Sequence, residues 1–274
     1  MINSNRSHIS LSRVLGAIYR RIEDIPHYLL WKLPVGFSNR NNQKLEKYRN
    51  IHKGKRCFVV ANGPSLKKTD LSLLKNEITF GMNRIHLLKE VNGFSPTYLA
   101  TVDIPTQLQQ FKVEYNSIDL TRFFNWNFRS NFDEKENLMF VRNSFSSDFS
   151  TDLVKQGAGN SKSVAYTCLQ LAYFMGCTEV ILIGKDHSYN TEGVGNARFA
   201  NSTGNESNHF IEGYYKKGMK WGVPDYKMEE YTYQLAKKAF ENNGRKILDA
   251  TIDGKLQVFE KIDYYSLFPS KISQ

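Results

Sequence analysis

Short apolar runs separated by longer mixed segments dominate the chain after residue 53. Runs of this kind occur at 56–61, 78–80, 98–102, 138–141, 180–184 and 246–248, and their length is typical of buried strands. Apolar residues at helical spacing predict helices over 163–175 and 229–243, followed by Gly176 and Gly244. Strands that alternate with helices predict an α/β fold with a doubly wound, mostly parallel sheet.

Residues 1–50 carry a different pattern. Apolar side chains recur at helical spacing between Leu11 and Ile25, three arginines lie among them, and the aromatic-rich segment 28–31 follows Pro26. This basic amphipathic stretch, with Tyr28 and Trp31 as interfacial aromatics, indicates either attachment to an anionic membrane surface or packing on its own domain or a partner subunit. Residues 38–50 are polar and predict a linker. We therefore expect an N-terminal extension at 1–50 and a globular domain at 51–268.

Composition and charge narrow the class of partner. The 274 residues are 41% hydrophobic and 23% charged, as in ordinary globular proteins. The net charge of +10 favours an anionic partner, either a membrane surface or a phosphorylated small molecule. No zinc-finger spacing or RNA-binding strand motif is present, so we expect no nucleic acid partner. Homo-oligomerisation stays open.

Localisation is predicted from three features. The sequence has no run of 18 apolar residues, no apolar signal core at its N-terminus, and three cysteines without paired spacing. We expect a cytoplasmic protein, with peripheral attachment to the inner face of the cytoplasmic membrane as a second option.

Polar residues follow four of the predicted strands. They are the turn Asn62-Gly63-Pro64-Ser65, then Asn83, Asp103 and Asp186. In a parallel sheet the carboxyl ends of strands share one edge, where ligands bind. We expect Gly63 to allow positive φ and close approach of a ligand, so that backbone N–H groups cradle a phosphate. The turn matches neither common glycine-rich phosphate motif, and such a segment is often only a turn.

Two acidic residues and a histidine are further candidates. Asp103 and Asp186 could hold Mg²⁺ on a nucleotide, bind ribose hydroxyls or cap helices. Residues 188–222 are rich in Gly, Asn and Ser and predict a long lid over the site. His209 within it is a candidate general base, and His187 is a second one.

Three segments resemble a known group. KGKRCFVVANGPSLKKTDLSLLKNEITFGMNRI at 53–85, VAYTCLQLAYFMGCTEVILIGKDHSYN at 164–190 and GRKILDATIDGKLQVFEKIDY at 244–264 resemble the DUF115 group, whose archaeal members include a 6-hydroxymethylpterin pyrophosphokinase. The resemblance implies an ATP-dependent transfer to a pterin-like alcohol. Mg²⁺ would then be required, with Asp103 and Asp186 as its candidate ligands.

The same segments are similar to the bacterial family 42 sialyltransferases. This likeness implies a Rossmann-like, GT-A-variant fold, with His209 as the general base. It also implies that no metal is required. The likeness implies five donor contacts, namely Asn62, Gly63, Ser65, Asn83 and Ser163. To these we add the strand-end residues Asp103 and Asp186 as donor-binding candidates. The family's two tyrosines that hold the leaving phosphate fall on Ser188 and Val194, so the nearby Tyr189 is the second catalytic candidate.

The activity predicted from these likenesses is a glycosyltransferase. It would be an inverting enzyme that moves a sialic acid-like sugar from a CMP donor to a glycan or lipid-linked acceptor in surface polysaccharide synthesis. The alternatives are the Mg²⁺-dependent pyrophosphokinase and a module that binds its ligand without turnover.

Overall fold

The computed structural model describes residues 11–33, 35–161, 163–188, 198–200 and 207–269. Within them the α-helices are α1 (Leu11–Lys32), α2 (Gly36–Glu46), α3 (Leu88–Asn92), α4 (Lys112–Ser117), α5 (Leu153–Gln156), α6 (Val164–Phe174) and α7 (Tyr226–Glu241). The strands are β1 (Arg56–Val60), β2 (Ile78–Met82), β3 (Tyr98–Thr101), β4 (Thr121–Asn125), β5 (Leu138–Val141), β6 (Glu179–Ile183), β7 (Arg198–Ala200), β8 (Lys220–Gly222), β9 (Lys246–Asp249) and β10 (Glu260–Lys261).

Eight of the described strands form one sheet in the order β10-β9-β6-β1-β2-β3-β4-β5. Every pairing in it is parallel. The chain builds outward from β1 to β5 and then returns to place β6 on the other side of β1. The predicted doubly wound, Rossmann-like sheet is confirmed, and its switch point lies between β1 and β6.

Continuous burial explains why these short runs become strands. In β1 and in β6, four of the five residues are buried, as expected for a parallel strand covered on both faces. All eleven residues of α6 are buried between the sheet and its neighbours. The core therefore surrounds β1 and β6.

Four of the described strands, β4, β7, β8 and β10, were missed by the pattern, and β4 lies inside the main sheet between β3 and β5. β4 has the sequence TRFFN, and its Arg122 is fully buried. The guanidinium donates to Tyr115 O at 2.7 Å and to Asn137 Oδ1 at 3.0 Å. A charged residue hides the strand from a hydrophobicity pattern because only its tertiary partners make its burial tolerable. The predicted fourth strand at 138–141 is consequently the fifth.

The N-terminal region differs from the expected extension and linker. α1 continues through Pro26, and much of the expected linker folds as α2. The Asn41 side chain covers the edge strand β5 by bonding both N–H and C=O of Phe140, at 2.7 and 2.9 Å. Leu45 of α2 is fully buried. Division of the chain after residue 50 remains a prediction.

Trp31 is a core residue, which corrects its interpretation as an interfacial aromatic. It is 2% exposed and packs edge-on against Trp126, with ring centroids 5.1 Å apart. Asp24 of the same helix is buried in an ion pair with Arg142. Among the described helices, none is long and apolar enough to cross a membrane.

Candidate functional site

A cavity of about 570 Å³ opens at the carboxyl ends of β1, β2, β3 and β6. Most of the predicted site residues line it, namely Asn62, Gly63, Asn83, Asp103, Ser163, Asp186 and His209. Ser65 does not line the cavity, but it donates two hydrogen bonds to Asp186, which does. Tyr189 and Val194 lie outside the described residues.

The turn after β1 is shaped by Asp186. Ser65 donates its backbone N–H to Asp186 Oδ1 at 3.0 Å and its hydroxyl to Oδ2 at 2.8 Å. A Cβ on Gly63 would lie 1.7 Å from Asp186 Oδ2 and 2.6 Å from Gly184 O. Gly63 itself has φ −71°, so it does not use the positive φ that glycine permits. Glycine is required here because the carboxylate from β6 approaches its Cα.

Asp103 caps a helical turn. Its carboxylate accepts from Thr106 N at 3.3 Å and from the Thr106 hydroxyl, at the start of the turn Ile104–Leu108. Of the three roles left open for the two aspartates, the structure shows this capping role for Asp103. Across the described ranges no group of three His, Cys, Asp or Glu residues could hold a metal ion.

Two of the predicted donor contacts, Asn62 and Asn83, contribute buried oxygen atoms that have no hydrogen-bond partner, as does Asn143 in the same cavity. Asn62 is 8% exposed; its amide nitrogen donates to Met82 O at 3.2 Å, and its Oδ1 has no partner. Asn83 adopts a left-handed φ of 50°, which asparagine tolerates better than most residues, and its Oδ1 is likewise unpartnered. Buried polar atoms are nearly always paired in folded proteins. These two acceptors are therefore suited to the N–H and O–H groups of a ligand.

The first turn of α6 forms another wall of the cavity. Ser163 precedes the helix, but its hydroxyl bonds to the Tyr233 hydroxyl at 3.0 Å and does not cap the helix. Val164 and Ala165 line the cavity. The first N–H groups of a helix lack intrahelical partners and carry partial positive charge. This wall can receive a phosphate.

His209 is held by its neighbours in a fixed plane. The residue is 8% exposed, and its ring stacks on Tyr214, with centroids 3.9 Å apart and planes 7° apart. The Tyr214 hydroxyl accepts from Arg84 N at 3.1 Å. Phe210 N donates to Asn62 O at 2.9 Å. The histidine segment is thus joined to the strand ends that carry both asparagines.

A buried ion pair in the cavity, between Lys185 and Glu229, was missed by sequence reasoning, and it lies beside His187, the second candidate base. Lys185 Nζ lies 2.8 Å from Glu229 Oε2, and His187 Nδ1 lies 3.6 Å from the same oxygen. Burial alone would raise the pKa of Glu229, but Lys185 and His187 lower it to about 2. Glu229 sits far along the chain on α7, so no local motif signals the pair.

Tyr226 is a second residue that the sequence did not single out. It begins α7, lines the cavity, and stacks on His187 with centroids 4.4 Å apart. Its hydroxyl is buried without a partner. Burial raises the pKa of Tyr226, so the hydroxyl keeps its proton. The family likeness calls for a tyrosine where this chain has Ser188. That mismatch could have prompted a search for another tyrosine, such as Tyr226.

Comparisons with known proteins gave one family match and solved structures to which this chain is similar. The chain has no match among curated proteins. It is similar to the MAf glycosyltransferase from Magnetospirillum magneticum AMB-1, with 12% identity and a TM-score of 0.47. That likeness covers 92% of this chain and 42% of the other, so the chain spans less than half of that enzyme.

A second structure with a similar fold is the sialyltransferase CstII from Campylobacter jejuni, solved in complex with a substrate analogue, cytidine-5'-monophosphate. Its identity is 15% and its TM-score 0.45, over 77% of this chain and 85% of that one. Residues 37–192 match the family described as 6-hydroxymethylpterin diphosphokinase MptE-like. The family is named for a diphosphokinase, which is a group-transfer enzyme. Since the family match extends over more than half of the chain, which confirms the resemblance to the DUF115 group, this protein belongs to the MptE-like family.

Proposed function

We propose that this protein is a glycosyltransferase that takes a sialic acid-like sugar from a CMP donor and attaches it to a glycan or lipid-linked hydroxyl during surface polysaccharide synthesis. One observation carries the proposal. The unpartnered oxygens of Asn62 and Asn83, the start of α6 and the ring of His209 belong to residues around one cavity. These are the positions at which the sialyltransferase likeness expects donor contacts and a base.

The donor would lie across the ends of β1, β2 and α6. Asn62 and Asn83 would accept hydrogen bonds from the base or ribose of the nucleotide. The phosphate would meet the N–H groups of Val164 and Ala165, where the helix end favours negative charge. Charge on the phosphate increases as the sugar departs, so a fixed positive helix end stabilises the transition state.

The reaction would be a single inverting displacement. The acceptor oxygen forms a bond to the anomeric carbon while the bond from that carbon to the phosphate oxygen breaks, and CMP leaves with the electron pair. A ring nitrogen of His209 takes the proton from the acceptor hydroxyl. The stack on Tyr214 fixes the ring plane and so aims that nitrogen.

Tyr226 supports a role at the leaving phosphate. The family likeness calls for tyrosine at a position where this chain has Ser188. Tyr214 accepts from Arg84, and Tyr215 accepts from Gln107, so both of these lid hydroxyls already have protein partners. The Tyr226 hydroxyl is buried, protonated and unpartnered in the same cavity, so it can donate to the departing oxygen.

The first test is thermal stability with CMP, CDP, ADP, ATP and UDP, each with and without Mg²⁺. A ligand that binds only the folded chain raises its apparent melting temperature by mass action. We expect a shift with CMP that does not depend on Mg²⁺. A shift restricted to ATP or ADP with Mg²⁺ would overturn the proposal.

Turnover is tested by His209→Gln with a CMP-sugar donor. Loss of a general base typically costs about 10² to 10⁴ in kcat. The CMP-induced thermal shift should persist, because the nucleotide contacts lie elsewhere. His52→Gln is the matched control; its ring bonds to the Tyr98 hydroxyl at 2.7 Å, apart from the cavity residues. Equal turnover in both variants would remove His209 from the mechanism.

The family match favours a second candidate, a Mg²⁺-dependent pyrophosphokinase acting on a pterin-like alcohol. Asp103 and Asp186 would be its metal ligands. Both carboxylates accept hydrogen bonds from neighbouring groups, so the metal would have to compete with Thr106 and Ser65 for them. Release of AMP that requires both Mg²⁺ and a hydroxymethylpterin would establish this candidate.

A further inference from the structure

The outer face of α1 is an apolar stripe open to solvent. Its members recur every three or four residues along the helix, and each is between 41% and 58% exposed: Val14, Leu15, Ile18, Ile22, Ile25, Leu29 and Leu33. The helix has 22 residues, which corresponds to a length of about 33 Å. A continuous apolar surface of this size on a folded chain marks a binding face.

The opposite face of α1 is already occupied by the rest of the protein. Asp24 pairs with Arg142, and Trp31 packs against Trp126. The His27 carbonyl accepts from Trp126 Nε1 at 2.9 Å. These contacts fix the rotation of the helix about its axis. The apolar stripe is therefore held outward by the fold, and core packing does not cover it.

The charged and aromatic residues beside the stripe indicate what kind of surface binds there. At 100° per residue, Arg21 and Lys32 fall on one flank of the stripe, and Tyr19 and Tyr28 lie beside it, both exposed. Basic and tyrosine side chains around an apolar stripe are typical of helices that lie in the lipid headgroup region. The chain carries a net charge of +10, which attracts an anionic bilayer and repels a second copy. We propose that the outer face of α1 docks the protein on an anionic membrane surface.

The helix that carries the docking face also contributes to the cavity. Arg20, next to Arg21 on α1, lines the cavity together with Asn143. At 100° per residue, Arg20 falls with Asp24 and Trp31 on the packed side of the helix, away from the apolar stripe. Membrane docking does not depend on which donor the cavity binds. A test of docking can therefore fail or succeed independently of the proposed glycosyltransferase activity.

The test is co-sedimentation of the full chain with phosphatidylcholine vesicles, with and without phosphatidylglycerol. We expect binding to the mixed vesicles and much weaker binding to phosphatidylcholine alone. The triple variant Ile18→Glu, Ile22→Glu and Leu29→Glu should reduce the partition coefficient by at least about tenfold, since three inserted side chains are lost.

A control variant keeps the same change in charge. Val91→Glu, Val113→Glu and Tyr265→Glu alter exposed apolar residues elsewhere, with 58%, 84% and 38% exposure. This variant should bind vesicles much more strongly than the stripe variant. Both sets of positions are exposed, so thermal unfolding should show that both variants remain folded.

Three results would overturn the proposal. The first is that the natural chain fails to sediment with mixed vesicles. The second is an equal loss in both triple variants, which would show that charge alone drives binding. The third is a stable dimer of the natural chain by analytical ultracentrifugation that only the stripe variant dissociates, because a second copy would then cover α1.

Discussion

The strand-end cavity and the outer face of α1 depart in opposite ways from the usual arrangement of polar and apolar groups. In the cavity, the oxygens of Asn62 and Asn83 and the Tyr226 hydroxyl are buried without partners. On α1, isoleucines and leucines are about half exposed. A buried polar atom without a partner costs about 1 to 3 kcal/mol, and an exposed apolar stripe favours association.

The contrast separates two kinds of function. Unpaired polar atoms in a cavity require a small ligand with complementary hydrogen bonds. An apolar stripe on a convex helix has no directional contacts and suits a large, soft surface. Neither feature helps the isolated chain to fold, so each should respond to substitution differently from the core.

The largest expected effect separates the two faces of α1 itself. Trp31→Ala should reduce the free energy of unfolding by about 3 to 5 kcal/mol, because it leaves a cavity beside Trp126. Ile22→Ala should change it by less than about 0.5 kcal/mol, since Ile22 is 58% exposed. Chemical denaturation in urea measures both values.

This prediction has a clear contrary outcome. A cost for Ile22→Ala close to that for Trp31→Ala would mean that the outer face is covered in solution. Dependence of that cost on protein concentration would then identify a second copy as the cover.

The second effect concerns the buried hydroxyl in the cavity. Tyr226→Phe should lower kcat by about ten- to a hundredfold under the proposed mechanism, because one donor to the leaving phosphate is lost. Folding stability should not fall, since the hydroxyl has no protein partner to lose. Steady-state kinetics and thermal unfolding test the two statements separately.

Tyr265→Phe provides the matched control for that substitution. Tyr265 is 38% exposed, and its hydroxyl donates to Lys68 O at 3.1 Å. It should leave kcat unchanged. If Tyr226→Phe also leaves kcat unchanged, another group holds the leaving phosphate.

The third effect distinguishes the side chain of Asn83 from its backbone. Asn83→Gly removes the amide but tolerates φ 50°, whereas Asn83→Ala adds left-handed strain of about 1 to 2 kcal/mol. Both should weaken nucleotide binding about tenfold, as expected for one lost hydrogen bond. Only the alanine variant should lose stability.

Isothermal titration with CMP and urea denaturation of both variants test the Asn83 prediction. Unchanged affinity in Asn83→Gly would show that the Asn83 oxygen does not meet the nucleotide. It would leave the assignment of Asn62 to be tested alone.

The sequence predicted those site residues that directly follow a strand. Polar residues that follow an apolar run are expected at the carboxyl edge of a parallel sheet, so Asn62, Asn83 and Asp186 were found. The fold followed from the same alternation. β4 was missed because the burial of Arg122 depends on Tyr115 and Asn137, which a hydrophobicity pattern does not include.

The sequence could not predict how each helix is rotated about its own axis, and therefore which of its side chains face the domain. The apolar spacing of α1 is correct, but the apolar face turns to solvent, while the mixed face with Asp24 and Trp31 packs inward. Trp31 was therefore assigned to the wrong side. Tyr226 and the pair of Lys185 and Glu229 were missed for a related reason, because α7 reaches the cavity only through its packing beside α6.

The smallest effect is a pH dependence that belongs to the cavity and not to α1. The pKa of Glu229 is about 2 in the folded chain, below its ordinary value of 4.5. A lowered carboxyl pKa stabilises the folded state fully above the unfolded value and loses that contribution as the pH falls towards the folded value. The free energy of unfolding should therefore drop between about pH 5 and pH 2, by about 1 kcal/mol at pH 4 from this group alone.

Glu229→Gln should remove this portion of the acid dependence while costing stability at pH 7, because Lys185 is left without its partner. Glu134→Gln, at an exposed ion pair with Arg40, is the control and should change the acid limb little. An acid dependence identical in the natural chain and in Glu229→Gln would mean that the buried pair does not hold the wall of the cavity as the structure shows it.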